Sequence, residues 1–426
     1  MGESIMHKSL TGLWRHPDFL KLWAGETVSL LGSQVTFLAL PLAAATTLEA
    51  SPLQMGTLGT VQYLPWLLVG LLAGAWVDRS RRRPVMVAAD LGRAFLLGLI
   101  PLAVLGGLLG MALLYAVGFL VGILNVFFEV AYAAYLPSLV PRDRLVEGNS
   151  KLQLSASVAE IGGPGLAGGL VQLVTAPFAI AVDALSFLVS ALCLTWIRSR
   201  EARAEPTDQP RFLLAEIREG LRLVFLNPIL RAFALASVTT NFFVDMHLAV
   251  FVLFATRELG ISPVGLGSLY GVGAVGGLVG SMSVGRLTQG LGLGRFLVAA
   301  QAFVTLAVFA IPLAGRHLWL IVVAEAMWGF AVVVYVINAT SLRQATTPHE
   351  FQGRVAASLR FVTWGISPLG FLIGGILGET IGLRATLVVA GIGPLLSIVW
   401  LVLSPVPGVR EVPPPQGPEA VEAEVG

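Results

Sequence analysis

Among the ionisable side chains that stand inside long apolar stretches of this chain are three carboxyl groups and one imidazole, those of Glu26, Glu160, Asp245 and His247. Ionisable side chains are costly in an apolar environment, so they tend to face a cavity or a partner and to be functional. Glu160 and Asp245 lie near the middle of their stretches and are candidates for proton uptake and release, with Glu26 and His247 as further candidates. The alternative for each is a buried ion pair or a hydrogen-bonded packing residue.

A dense group of charges, GAWVDRSRRRP at residues 74–84, separates two of the apolar stretches. Four arginines beside one aspartate cannot lie in hydrocarbon, so this segment predicts a short loop outside a membrane. In the second half of the chain, Gly285-Arg286 stands at the matching place without an aspartate. The two loops are therefore not expected to be equivalent.

Composition indicates a membrane protein. Of the 426 residues 56% are hydrophobic and 12% are charged, whereas soluble domains carry about 25% charged residues. Apolar stretches of roughly 20 residues, the length that crosses a bilayer as a helix, recur along the chain. We predict twelve spans near residues 19–47, 53–77, 84–106, 111–137, 148–174, 177–197, 229–255, 263–285, 294–314, 318–342, 353–378 and 382–404. The fold class is all-α.

The basic residues predict the orientation. With both termini cytoplasmic, only Arg257, Arg316 and Arg384 of the 27 lysines and arginines fall in outer loops. This distribution satisfies the positive-inside rule. The charges therefore report topology, and no nucleic-acid partner is expected. The first span itself is expected to direct insertion, because it lacks a small-residue cleavage site.

The chain is expected to form two six-helix bundles. Pro17 and Pro228 open the first and seventh spans, 211 residues apart, and further matches in the same order repeat at offsets of 204 to 207. The predicted parts are a cytoplasmic N-terminus at 1–18, a first bundle at 19–197, a linker with an amphipathic helix at 198–227, a second bundle at 228–404 and a disordered cytoplasmic tail at 405–426.

The loop pattern G-x-x-x-D-R-x-x-R-R resembles the loop signature of the major facilitator superfamily. Three further stretches, HPDFLKLW at 16–23, DLGRA at 90–94 and LPSLVP at 136–141, resemble the branch that contains macrolide efflux proteins and siderophore exporters. The resemblance implies twelve helices in two pseudo-symmetric bundles, with a substrate site between them near the midplane. It also implies transport by alternating access.

The resemblance assigns the loop to an inner gate. Gly74 would allow close helix approach, and Asp78 would face the start of the eleventh span, where the helix macrodipole favours an acid. Arg79, Arg82 and Arg83 would pair with acids at the inner ends of neighbouring helices. The alternative is that the arginines only enforce topology.

Two further groups have expected roles beside the loop. Asp90 and Arg93 stand three residues apart on one helix face and are expected to neutralise each other. The resemblance implies that Glu129 pairs with the loop arginines. These three residues are expected to serve structure or gating.

The fifth span carries Gly163, Pro164, Gly168 and Gly169, and this arrangement resembles the glycine-proline motif of the antiporters in the superfamily. Proline kinks a helix and small residues let another helix approach closely. The motif favours export over import, and ordinary helix packing is the alternative.

These observations predict a secondary transporter that exports a small hydrophobic molecule (drug, macrolide or siderophore-like) as a proton antiporter. The alternatives are an importer or uncoupled facilitator of the same fold, and a transporter-like receptor that moves nothing. The sequence has no nucleotide-binding loop and no hydrolase or metalloprotease motif, and its single cysteine offers no metal site. We expect no enzyme activity and no cofactor, and we expect the proton-motive force to drive transport. The expected form is a monomer in the inner or plasma membrane.

Overall fold

The computed structural model describes residues 12–199, 201, 213–315, 317–348 and 351–411. This part of the chain is almost entirely helical. The helices are α1 Pro17–Leu42, α2 Pro52–Asp78, α3 Arg82–Leu105, α4 Met111–Leu139, α5 Leu145–Val174, α6 Ala176–Thr195, α7 Leu213–Leu226, α8 Pro228–Leu253, α9 Pro263–Leu291, α10 Leu293–Leu313, α11 Leu318–Ala345, α12 Gln352–Gly365, α13 Ser367–Thr380, α14 Leu383–Ile392 and α15 Leu395–Val402.

Ten helical segments within the described residues are long and apolar enough to cross a membrane. The helices α2 and α5, of 27 and 30 residues, occupy the positions of the predicted second and fifth spans. The eleventh span is divided into α12 and α13 next to Pro368, and the twelfth into α14 and α15 next to Pro394. Proline lacks a backbone donor, which explains both interruptions.

The described helices form two compact units. Of the described residues, unit 1 comprises those within Met1–Ala50, Leu64–Gln209 and Ser262–Gly271, and unit 2 those within Ser51–Tyr63, Pro210–Ile261 and Val272–Gly426. The start of α2 therefore packs within unit 2, where the Thr60 hydroxyl donates to the carbonyl of Pro368 over 3.0 Å. In the same way the start of α9 packs within unit 1.

The internal repeat is visible in the helix starts. Pro17 and Pro228 are each the first helical residue, where the missing N–H of proline costs nothing. The residue before each proline caps its helix. Nδ1 of His16 accepts from the N–H of Phe19 over 3.1 Å, and Asn227 accepts from two backbone N–H groups at 3.0 and 3.1 Å.

The repeat also extends to irregular backbone. Wide π-helical turns end the first and seventh spans, at Ala43–Thr47 and Phe254–Glu258. The sixth and twelfth spans are both preceded by a residue with positive φ, Thr175 at 70° and Gly382 at 88°. Equivalent places in the two halves therefore share the same backbone conformation.

The packed chain continues past the predicted boundary at residue 404. Val406 is fully buried against α10 and α15. The N–H groups of Leu293 and Gly294 donate to the carbonyls of Arg410 and Val409 over 3.0 and 2.8 Å. The first residues of the predicted tail thus satisfy donors at the start of α10, which composition alone does not reveal.

Candidate functional site

A buried ion pair lies within unit 1. Asp90 and Arg93, one turn apart on α3, pair through Oδ1 and Nη2 with almost no exposed surface. Arg93 also donates to the side-chain oxygen of Asn125 over 3.0 Å. Its guanidinium lies between the rings of Phe128 and Phe187, 4.2 and 4.1 Å from their centroids. Helices α3, α4 and α6 therefore all hold this one cation.

Two more carboxyl groups, those of Glu26 and Asp183, interact with this pair, and a third, that of Glu129, interacts with Glu26. Glu26 of α1 interacts electrostatically with Arg93, Asp90 and Glu129. Asp183 of α6 is buried, accepts from the Ser186 hydroxyl over 3.0 Å and also interacts with Arg93. We call this group the Arg93 cluster: Glu26, Asp90, Arg93, Glu129 and Asp183.

The Arg93 cluster contains more acids than bases. Three of these carboxyl groups, those of Glu26, Asp90 and Asp183, interact with the one guanidinium, which can neutralise only one of them fully. Uncompensated charge inside a membrane-embedded bundle is unfavourable, so the remaining carboxyl groups are suited to hold and exchange protons. Reversible proton binding is the chemistry that carboxyl groups offer in such surroundings. No group of His, Cys, Asp and Glu side chains that could hold a metal ion is found among the described residues.

The predicted acids elsewhere are not brought into the cluster. Glu160 of α5 belongs to unit 1 but is exposed and has no hydrogen-bond or charge partner within the described chain. Asp245 and His247 of α8 are buried in unit 2. Oδ2 of Asp245 and Nδ1 of His247 find no hydrogen-bond partner among the described groups, and the His247 ring stacks on Phe251 at 4.9 Å.

Unit 2 contains a further buried acid, Glu325 of α11, with 6% of its surface exposed. Its Oε2 lies 3.5 Å from the position that a Cβ atom on Gly273 of α9 would occupy. The sequence shows Glu325 as one of several ionisable residues in spans, but its packing against a glycine depends on the α9–α11 crossing.

The loop at 74–84 is held by a residue that follows α6. The Glu201 carboxylate accepts from the backbone N–H groups of Arg82 and Arg83 over 2.8 and 3.3 Å, and from the Arg82 guanidinium over 3.4 Å. It thereby caps α3 at the positive end of the helix dipole. Arg79 is exposed and Gly74 is half-buried, while the side chain of Asp78 lies outside the described residues.

Arg83 caps a second helix. Its Nε donates to the carbonyl of Leu194 over 2.7 Å and its Nη2 to that of Thr195, both at the last turn of α6. A cation at a helix C-terminus satisfies carbonyls that have no partner in the helix. The loop therefore ties the start of α3 to the end of α6.

The residues after α6, 196–199 and 201, form a segment that we call the inner strap. Asp18 of α1 accepts from the N–H groups of Arg198 and Ser199 over 3.1 and 2.8 Å. Lys21 pairs with Asp18 at 2.7 Å and donates to the carbonyl of Trp196 over 2.8 Å. Three helices of unit 1 thus meet the beginning of the predicted linker.

Two glycines of the glycine-proline motif are required by packing. A Cβ on Gly163 would lie 2.6 Å from the Gln34 side chain of α1, and one on Gly168 would overlap the backbone oxygen of Pro263 in α9. On the α9 side of the same contact, Gly267 lies against the backbone of Pro164 in α5. No atom lies within 4 Å of a Cβ on Gly169. The motif therefore permits the close crossing of α5 and the start of α9.

Sequence reasoning missed several of these residues. Asp18 and Lys21 carry no motif, although an acid in the first turn of a helix is a usual signal of capping. Glu201 lies in a stretch whose composition indicates a flexible linker. Asp183 was recognisable as an ionisable residue in a span, but nothing in its spacing points to Arg93.

The family model described as Major Facilitator Superfamily matches residues 22–369 and 237–424. The chain is 28% identical over 410 residues to the multidrug efflux pump Tap of Mycolicibacterium fortuitum, covering 93% of this chain and 97% of Tap. It is 26% identical over 388 residues to macrolide efflux protein A of Streptococcus pyogenes, covering 88% and 92% of the two chains.

Solved structures agree in fold. A bacterial homologue of the iron transporter ferroportin, in its inward-facing state, superposes with a TM-score of 0.75 at 18% identity, over 90% of this chain and 98% of that one. The nucleoside transporter NupG superposes with a TM-score of 0.74 at 11% identity, over 90% and 98%.

Proposed function

Since the chain belongs to the major facilitator superfamily, we propose that it exports a small hydrophobic molecule in exchange for protons. Membership makes it a multi-pass membrane transporter of small molecules and not an enzyme. The proposal adds three things to this: the outward direction, the coupling to protons and the class of substrate.

The Arg93 cluster is the observation that supports proton coupling. A proton bound by Glu26 would remove one of the excess negative charges around the single guanidinium, and its release would restore that charge. Because the cluster joins α1, α3, α4 and α6, a change in its charge would alter the packing of four helices of unit 1. Proton binding could in this way bias the transport cycle.

The direction and the substrate class are supported by the relatives. Two of them are described as efflux proteins, one for multiple drugs and one for macrolides. Aromatic side chains such as Tyr63, which stacks on Phe371 at 5.2 Å, would suit a bulky hydrophobic substrate. We therefore propose a drug-like or macrolide-like substrate.

Transport by purified protein in proteoliposomes tests the proposal. Ethidium and erythromycin serve as probes, a pH gradient is imposed, and an entrapped pH-sensitive dye reports proton movement. We expect transporters that are inserted inside-out to take the probe up into the proteoliposomes only when the pH gradient is present, and this uptake should dissipate the gradient. Glu26→Gln should abolish this coupling. Glu258→Gln, which changes a half-exposed acid paired with Arg384, is the matched control and should leave coupling intact.

Each part of the proposal can fail separately. Gradient-driven uptake that persists in Glu26→Gln would remove Glu26 as the coupling residue. Loss of coupling only in a parallel Glu160→Gln variant would move the proton site to α5. Uptake that is indifferent to pH would favour the uncoupled facilitator, and the absence of uptake of either probe by the unmodified protein would contradict the substrate class.

A further inference from the structure

Helix α7 ends where a membrane span begins. Its last residue, Leu226, is followed by Asn227, which caps α8, and by Pro228, the first residue of α8 and of a candidate span. Since α8 enters the bilayer at this point, the end of α7 lies at the bilayer surface. The predicted topology places this surface on the cytoplasmic side.

One face of α7 is fixed to α12. A Cβ on Gly220 would lie 2.6 Å from the carbonyl oxygen of Arg354, so the two helices are in close contact. One turn later, Val224 is buried in a cluster with Val355 and Leu359 of α12. Glu219 and Arg354 pair at 2.9 Å beside this contact. The orientation of α7 about its own axis is therefore determined.

The opposite face of α7 carries positive charge and then apolar surface. Arg218 and Arg222 are exposed and stand one turn apart. They are followed by Phe225 and Leu226, which are 44% and 67% exposed. We call these four residues the α7 stripe. Neither arginine has an ion-pair partner among the described side chains, since the one described acid of the helix, Glu219, is engaged by Arg354.

We propose that the α7 stripe binds the headgroups of anionic phospholipids and thereby holds α7 and α12 at the membrane surface. Guanidinium groups form paired hydrogen bonds with phosphate, and a basic helix with aromatic and aliphatic residues at its boundary is suited to the interface. Phe225 and Leu226 enter the edge of the acyl region, while Arg218 and Arg222 remain at the level of the phosphates. Neutral lipids lack the net charge that this arrangement attracts.

Thermal stability of the purified full-length protein in mixed micelles tests this without any knowledge of the transported substrate. Dioleoyl phosphatidylglycerol should raise the melting temperature of the unmodified protein by roughly 3 °C more than dioleoyl phosphatidylcholine does. The double variant Arg218→Gln/Arg222→Gln should lose most of this difference, and Arg218→Lys/Arg222→Lys should retain most of it. Native mass spectrometry should show fewer retained phosphatidylglycerol molecules on the glutamine variant.

A second pair of exposed arginines in unit 2 supplies the control, Arg286→Gln/Arg295→Gln. If the Arg286→Gln/Arg295→Gln variant loses as much of the lipid-dependent difference in melting temperature as the Arg218→Gln/Arg222→Gln variant does, the effect is one of net charge and the proposal is wrong. Equal stabilisation by both lipids would also overturn it. Inorganic phosphate at millimolar concentration should not replace the lipid, and a full effect of phosphate would assign the site to free anions. If the glutamine variant does not fold, Phe225→Ser should reduce the lipid-dependent difference.

Discussion

Oε1 of Glu201 lies 2.8 Å from the backbone nitrogen of Arg82, so a residue that follows the sixth span caps the first turn of the third. The same carboxylate reaches the Arg82 guanidinium, and the side chain of Glu201 is almost fully buried. The loop that marks the superfamily is therefore attached to unit 1 by its backbone as well as by its charges.

Glu201→Gln should destabilise unit 1. The amide keeps one acceptor oxygen but removes the charge that opposes the helix dipole and the guanidinium, which should lower the free energy of unfolding by about 1–2 kcal/mol. Heat denaturation in detergent measures the change. Glu411→Gln, at an exposed acid, is the control, and equal melting temperatures for the two variants would show that the cap is not needed.

Thr175→Gly should stabilise the protein. Thr175 has φ 70° and ψ 159°, a region that side chains other than glycine rarely adopt, and such a residue costs about 1–3 kcal/mol. The equivalent position in the second half is Gly382, with φ 88° and ψ 161°. We expect the free energy of unfolding to rise by about 1 kcal/mol for Thr175→Gly and to fall for Gly382→Thr. A fall in the free energy of unfolding for Thr175→Gly, or a rise for Gly382→Thr, in denaturation experiments would contradict the assigned backbone.

Neighbouring glycines of α5 should respond differently to alanine. Gly168→Ala forces a methyl group against the backbone of Pro263 and should cost about 1–3 kcal/mol. Gly169→Ala meets no atom within 4 Å and should be neutral or slightly stabilising, because alanine favours helix by up to about 1 kcal/mol. Melting temperatures and transport rates of the two variants provide the comparison. Similar losses would mean that helix propensity, not the crossing, sets the requirement for glycine.

The N-terminal segment should be released by acid. The backbone N–H of Leu13 donates to Glu147 over 2.9 Å, and with the nearby Lys151 it holds the pKa of that carboxyl below its usual range. The stabilisation that the ionised Glu147 carboxylate gives to the N-terminal segment is complete above the pKa of this group in the unfolded chain, about 4.3. It is lost as the pH falls through the lower pKa of the same group in the folded protein. Trp14, whose ring lies 4.0 Å from Nζ of Lys151, reports the release by its fluorescence.

The control for this titration is Glu147→Gln, which keeps an acceptor for Leu13 but cannot titrate. The Trp14 signal of this variant should not change between about pH 5 and pH 3, whereas that of the unmodified protein should. A transition of equal size in both proteins would assign it to another group.

The sequence predicts those features that depend on local spacing. Asp90 and Arg93 stand one turn apart, and they form an ion pair; the apolar stretches correspond to long helices. Features that depend on distant helices could not be predicted. Glu201 reaches α3 only because α6 ends beside the start of α3, and its own surroundings in sequence indicate a linker. Likewise Glu26 meets Arg93 through the packing of α1 and α3, whereas Glu160 has an equally plausible position in sequence and no such neighbour.

The internal repeat predicts one irregular backbone position. The offset of 207 residues between Pro141 and Pro348 aligns Thr175 with Gly382, and this alignment marks Thr175 as a threonine at a glycine position. The π-helical turns, in contrast, have no shared residue pattern at Ala43–Thr47 and Phe254–Glu258 that the sequence alone identifies.

The inner strap has a consequence for the order of synthesis. Asp18, Lys21, Arg82 and Arg83 leave the ribosome long before the groups that they bind, which are the carbonyls and N–H groups at the end of α6 and the carboxylate of Glu201. Until residue 201 has emerged, the first turn of α3 lacks its cap and Asp18 lacks its two backbone donors. A nascent chain stopped at the end of the sixth span would therefore contain every helix of the first bundle and the carbonyls that Arg83 binds, and would still lack the cap on α3 and the backbone donors to Asp18.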